Sequence, residues 1–315
     1  MATMETRKVG SLEVTLAGVG CNNFGMRIDE DASHAVVAAA LDAGINHFDT
    51  ADIYGGGKSE EFLGRALAAR RDEAVITTKV GMGVPEGQHG GSRDYVLRGC
   101  DASLARLGTD RIDLYLLHQP DADTPIGETL EAFGELIRAG KVLEIGCSNF
   151  SAAQLQEAAG AARELGVPGF LNSQNDYSLL NREVEREVLP EIERLGMTLM
   201  PYFPLASGVL TGKYKRGQEH PEGSRLAAWG TMAGNFASDA RMVVVEQLDE
   251  YAQAHGHTLH ELALSWLAGN PVVGSVIAGA TSPEQVRSNA AATVAWQLTP
   301  EERAEVDLIA RVVED

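Results

Sequence analysis

The chain has 315 residues, with 26 Lys and Arg against 45 Asp and Glu, a formal net charge of −19 and a hydrophobic share of 44%. That length suits one barrel of alternating strands and helices, and the composition is that of a globular protein with a large core. The acidic balance argues against a general nucleic-acid or anionic-membrane surface, so an anionic ligand would have to be met by local basic groups.

In chain order, the polar opening at 8–16 predicts a small hairpin, and 18–24 a first strand with its loop. A helix is predicted over 29–41, with acids in its first turn and Gly44 just past its end. Seven further apolar runs, at 45–49, 75–79, 112–118, 142–148, 170–174, 198–204 and 273–278, predict strands and bring the total to eight. Helical patterns separate them. Thr124-Pro125 opens one whose apolar face is Ile126, Leu130, Phe133 and Ile137, and Gly140 closes it. Ser151-x-x-Gln154 and Thr299-x-x-Glu302 have capping-box form, and Ser282-Pro283 starts another helix.

Eight strands alternating with helices predict a closed parallel α/β barrel, a (β/α)8 TIM barrel forming a single domain over 1–315. The hairpin precedes it and an extra C-terminal helix follows. An open doubly wound sheet is the alternative. Gly18-x-Gly20-x-x-Asn23 lacks the third glycine of the dinucleotide fingerprint, so a nucleotide would be held differently.

Asp49, Tyr54, Lys79 and His118 each stand at or just beyond the end of a separate apolar run. In a barrel those ends converge on one mouth, where catalytic residues sit. A phenol with a pKa of about 10 is a poor acid at neutral pH. Lys79 is expected to lower it, Asp49 to hold the ammonium charged, and His118 to hydrogen-bond a substrate carbonyl oxygen. Singly, each has a plainer reading: a surface tyrosine, a strand-end lysine, a turn aspartate and a strand-capping histidine. Four together favour proton transfer to a carbonyl.

Asp49-Thr50-Ala51-x-x-Tyr54-Gly55, Thr78-Lys79, Leu116-Leu117-His118-x-Pro120 and Gly146-Cys147-Ser148-Asn149-Phe150 together resemble the aldo-keto reductase superfamily, from Gly18 to about Asn289. The resemblance is to bacterial branches related to potassium-channel β subunits. It implies a barrel that binds a nicotinamide dinucleotide without a Rossmann domain, with the four residues in the roles above. NADP(H) is favoured and NAD(H) is the alternative. The implied partner is a small-molecule carbonyl substrate, with no nucleic acid or membrane, in a monomer or simple homo-oligomer.

For the cofactor, Tyr202 is placed to stack on the nicotinamide, and Ser148, Asn149 and Gln174 to grip its carboxamide. The run Pro204-Leu205-Ala206-Ser207-Gly208, continuing through Leu210 to Lys213, resembles the family loop across the pyrophosphate, and Arg225 a residue that closes over the dinucleotide. Gly279, Thr281, Gln285 and Asn289 resemble the adenosine end, although many NADPH-preferring relatives carry an arginine or lysine near Thr281 or Gly279. Phe24 and Met82 are expected to line the substrate pocket with Tyr54. Asn22 and Asn23 suggest a more polar wall, and the loops at 81–93 and 214–237 suggest variable specificity.

No metal is expected. His255, His257 and His260 read as a solvated turn at a helix end, and Gly57-Lys58-Ser59 lacks the earlier glycine of a phosphate loop. Cys21, Cys100 and Cys147 have no metal-type spacing and read as reduced thiols. The first eight residues carry no apolar signal core, so the expected location is the cytoplasm. The reading that follows is an NAD(P)H-dependent aldehyde or ketone reductase. An alcohol or sugar dehydrogenase working in reverse, and a cofactor-sensing regulatory subunit, are the alternatives.

Overall fold

A computed structural model describes residues 4–229 and 237–311. It opens with an antiparallel hairpin of β1 (Thr6–Val9) and β2 (Leu12–Thr15), so the predicted hairpin begins two residues earlier than expected. Val9, Leu12 and Val14 pack against Leu114, Leu116, Met200 and Ile277 from the barrel interior. The hairpin thus plugs one end of the barrel with apolar side chains and leaves the other end for chemistry.

The barrel strands are β3 (Ala17–Gly20), β4 (His47–Asp49), β5 (Val75–Val80), β6 (Ile112–Leu117), β7 (Val142–Ser148), β8 (Asn172–Asp176), β9 (Thr198–Tyr202) and β10 (Val276–Gly279). They lie in the order β10-β3-β4-β5-β6-β7-β8-β9, each pair parallel. The ring is joined where Leu199 N–H donates to Val272 O at 2.9 Å and Gly274 N–H donates to Leu199 O at 2.8 Å. β8 is polar and yet buried; Asn172 Nδ2 donates to Thr198 Oγ1 at 3.0 Å and Ser173 Oγ to Asn175 Oδ1 at 2.7 Å, while Asn172 Oδ1 is buried without a partner. β8 and β10 begin later than predicted. Phe170 instead joins an edge-on aromatic cluster with Phe133 and Phe150 outside the strands.

Around the strands run α1 (Glu30–Asp42), α2 (Lys58–Leu67), α3 (Arg93–Leu107), α4 (Ile126–Arg138), α5 (Ala152–Leu165), α6 (Val188–Leu195), α7 (Arg225–Trp229), α8 (Asp239–Ala254), α9 (Leu259–Ala268), α10 (Pro283–Thr293) and α11 (Pro300–Ala310). Their starts follow the local signals. Asp29 accepts from Ala32 N–H, Ser282 from Gln285 N–H, and both expected capping boxes form, at Ser151/Gln154 and Thr299/Glu302. α11 is the extra C-terminal helix. No helix among the described residues is long and apolar enough to cross a membrane.

Candidate active site

At the end opposite the hairpin, Asp49 ends β4, Lys79 lies near the end of β5, and His118 directly follows β6. Tyr54 opens a tight turn in which Gly55, Gly56 and Gly57 all have positive φ. At Gly55 a Cβ would lie 2.8 Å from the Phe24 carbonyl oxygen, so the turn packs on the β3 loop only because that residue is glycine. The turn brings the phenol back over the barrel.

The four expected residues meet. Lys79 Nζ donates to Asp49 Oδ2 at 2.7 Å and to Thr50 O at 2.8 Å, and it lies 5.2 Å from the centroid of the Tyr54 ring. The Tyr54 and His118 rings meet edge-on, with centroids 5.8 Å apart. Lys79 is 1% exposed, so charge pairing is obligatory. Burial works against its ammonium, but Asp49 and Tyr54 outweigh that and raise its pKa above the ordinary lysine value. His118 is pushed down to about 3, first by burial and then by Lys79, so its imidazole is neutral at working pH. Its buried Nδ1 has no hydrogen-bond partner.

Tyr54 differs from the sequence expectation in one respect. Burial raises its pKa, and the opposing pull of Lys79 does not reverse the shift. The phenol is therefore held as the proton-bearing form.

These groups line a cavity of about 720 Å³ running across the barrel mouth, within the usual range of about 300–1,000 Å³ for small-molecule and cofactor sites. Ser148, Asn149, Gln174 and Tyr202 line it beside the four; Gln174 and Asn149 are bonded to members of the four, and Ser148 and Tyr202 to Asn149. Gln174 Nε2 donates to Asp49 Oδ1 at 2.6 Å. Asn149, at φ 65°, donates from Nδ2 to His118 O at 3.0 Å, and its Oδ1 accepts from the Tyr202 hydroxyl at 2.7 Å.

Beyond β9 the chain turns through left-handed φ at Phe203, Ala206, Ser207 and Gly208. For the three non-glycine residues that costs about 1–3 kcal/mol each, a cost typical of functional turns. Pro204, Leu205, Ser207, Gly208 and Lys213 line the cavity, and Ser207 Oγ is buried without a partner. Ala206 and Leu210, also expected at the site, are instead buried with Val209 in the core behind it, on the inner side of the 3-10 turn at 206–211. Thr211 lines the wall without having been expected there.

At the outer end stand Gly279, Thr281, Gln285 and Asn289. Gln285 Oε1 accepts from Thr281 N–H at 2.8 Å and from Thr281 Oγ1 at 3.1 Å, so the threonine hydroxyl is engaged within the protein. The histidine trio does not form one solvated turn. His257 stacks on Trp296 at 4.3 Å and His255 packs beside it, whereas His260 enters the cavity wall and bonds Asn289.

Two arginines cross over the cavity edge. Arg225 Nη2 donates to Asn23 Oδ1 at 3.3 Å, and Arg27 Nη2 donates to Gly223 O at 3.1 Å. Asn23 Nδ2 in turn donates to Ala280 O at 3.3 Å, which places Arg225 near the start of α10. Burial, and then Arg27, lower the Arg225 pKa. Among the described lining residues, Arg27, Lys79, Lys213 and Arg225 are cations and Asp49 is the one acid, already paired with Lys79. In a chain of net charge −19, that is a local reversal of charge, and it suits an anionic ligand.

Met82 lines the cavity as expected, with Asn22 and Asn23. Phe24 does not: it is 0% exposed and belongs to the hydrophobic core, its loop having turned it inward beneath the Tyr54 turn. Arg27 was findable, since it stands in the loop after the first strand. His260 carried no local signal. Of the 214–237 loop, residues 230–236 lie outside the described residues.

Asp52, two residues before Tyr54, has a buried Oδ1 without a partner and is pushed up to about 7 by burial and then by Glu60. Its pKa in the folded chain exceeds the unfolded value of about 3.9, so the protonated acid favours folding at low pH and this contribution is lost as pH rises from about 4 to 7. Asp52→Asn should therefore stabilise the fold at pH 8 by about 1–2 kcal/mol, discounted for partial exposure, and change little at pH 4. Unfolding curves of the two proteins that stay equally far apart at pH 4 and pH 8 would contradict this.

Comparison with known proteins now bears on the site. The family model described as the Aldo/keto reductase family matches residues 17–311. A protein of Arabidopsis thaliana named "Probable voltage-gated potassium channel subunit beta" is 40% identical over 273 residues, covering 84% of this chain and 83% of the relative. L-glyceraldehyde 3-phosphate reductase of Escherichia coli K12 is 35% identical over 300 residues, covering 91% and 86%. Among solved structures, an aldo-keto reductase from Bacillus halodurans in its holo form superposes with a TM-score of 0.80 at 33% identity, covering 98% of this chain and 97% of that one.

Proposed function

The chain belongs to the aldo/keto reductase family, and from that premise we propose that it is an NAD(P)H-dependent reductase of aldehydes or ketones, with Tyr54 as proton donor. The observation that carries the reading is the meeting of Tyr54, Lys79, Asp49 and His118 at one end of a cation-lined cavity. An extended dinucleotide fits these walls. The partnerless Ser207 Oγ, the left-handed turn around it and Lys213 suit a pyrophosphate, and the Tyr202 ring suits the nicotinamide. With Gln174 Nε2 given to Asp49, its Oε1 is the atom offered to a carboxamide NH2.

When bound, the cofactor supplies the hydride. The protein supplies orientation and the proton. Neutral His118 hydrogen-bonds the carbonyl oxygen from one side, and Tyr54 gives it a proton from the other. As the phenolate develops, the Lys79 ammonium, held charged by Asp49, stabilises it in a site shielded from water. Small-molecule carbonyls are the proposed substrates and the cytoplasm the proposed location; Cys21, Cys100 and Cys147 are all free and buried.

NADP(H) is the favoured form because Arg225 sits beside the start of α10. Loss of a charge-assisted bond suggests that Arg225→Ala should weaken NADPH binding by about 10–100-fold, affect NADH less, and reduce the salt dependence of binding. Equal NADPH affinity in both proteins would remove Arg225 from the site. The function itself is tested by titrating cofactor fluorescence and then assaying aromatic aldehydes, dicarbonyls, sugars and pyridoxal with NADPH and NADH. Tight binding without turnover on any of them would favour a regulatory subunit, the reading that the relative named as a channel subunit supports. NAD-dependent sugar oxidation without reduction would favour the dehydrogenase.

A further inference from the structure

His260, in the first turn of α9, reaches the outer end of the cavity wall beside the α10 residues Ser288 and Asn289. Its Nε2 lies 2.9 Å from Asn289 Oδ1 on α10. A carbonyl oxygen can only accept, so Nε2 carries the proton. The imidazole is half-buried, and burial lowers its pKa, so Nδ1 is bare and faces the Ser288 hydroxyl at 3.5 Å. α9 and α10 are locked together nearby by Ser265 Oγ donating to Ala292 O at 2.8 Å. The histidine is thus held against Asn289 by the packing of two helices.

An asparagine amide has two nearly equivalent orientations about its last torsion, and a neighbour must choose between them. Here the oxygen is taken by His260, which leaves the Asn289 NH2 as the donor offered to the cavity. We propose that His260 is a positioning residue for the outer end of the dinucleotide: it fixes Asn289 so that its amide NH2 meets a ring-nitrogen acceptor of the purine. The role rests on the dinucleotide reading above and deepens it.

The test uses the full chain and three probes: NADPH, NADH and reduced nicotinamide mononucleotide, which lacks the purine half. His260→Ala should weaken NADPH and NADH about 3–10-fold, the worth of one oriented hydrogen bond, and leave affinity for the mononucleotide unchanged. His260→Gln, which keeps an N–H donor, should recover part of the loss. His260→Ala/Asn289→Ala should lose no more than Asn289→Ala alone, because the histidine acts only through the asparagine. Unchanged dinucleotide affinity, equal weakening of the mononucleotide, or additive losses in the double variant would each overturn the role while leaving the reductase reading in place. A wild-type chain that binds neither dinucleotide would overturn both.

Discussion

Tyr54→Phe should lower kcat for carbonyl reduction by about 10²–10⁴-fold, equivalent to about 3–5 kcal/mol of transition-state stabilisation, with dinucleotide affinity nearly unchanged. The substitution removes one oxygen and keeps the ring, so the edge-on contact with His118 survives. What disappears is the hydroxyl of the tyrosine that lines the cavity with Lys79 and His118 and whose ring lies 5.2 Å from the buried ammonium. Single-turnover rates at saturating cofactor make the measurement, because they separate the hydride step from product release. A variant that turns over within a few-fold of wild type would remove Tyr54 from proton donation. The pH profile adds a check. With the His118 pKa pushed down to about 3, no limb of the reductive profile between pH 5 and 8 should belong to that residue.

Lys79→Met should destabilise the fold by about 3–5 kcal/mol and abolish most activity. Asp49 is 4% exposed and its Oδ2 is held by the lysine, so the substitution leaves a carboxylate in the barrel without its counter-charge. Gln174 still donates to Oδ1, but a neutral amide replaces little of an ammonium's field. The double variant Asp49→Asn/Lys79→Met removes both charges and should regain most of the lost stability without regaining turnover. That split distinguishes a pair kept for chemistry from one kept for folding. Denaturant unfolding of the wild type and the two variants reads the stability, and initial rates read the chemistry. If Lys79→Met unfolds at the wild-type midpoint, the buried-pair argument fails.

The helix starts show what a short stretch of chain can encode. Asp29, Ser151 with Gln154, Ser282 and Thr299 with Glu302 each cap a helix within three residues of themselves, so the relevant hydrogen bonds are local and readable. Strand ends were less legible. β8 is built largely of buried polar residues bonded within the strand and to neighbouring β9, so its limits do not follow an apolar run. The four residues of the site were legible because Asp49, Lys79 and His118 stand at or beside strand ends and Tyr54 in the turn after one, and parallel closure brings those ends together whatever the details of packing.

The amino-acid order alone thus determined the alternation of strands and helices, the end of the barrel that carries chemistry, and the acid, phenol, amine and imidazole gathered there. Tertiary structure decided the remainder. It turned Phe24, Ala206 and Leu210 into the core, brought Arg27 to Gly223 across 196 residues, and set His260 against Asn289 across 29. It also decided the direction in which the Tyr54 pKa moves, because desolvation depends on everything that surrounds a group, while a motif records only its neighbours in the chain.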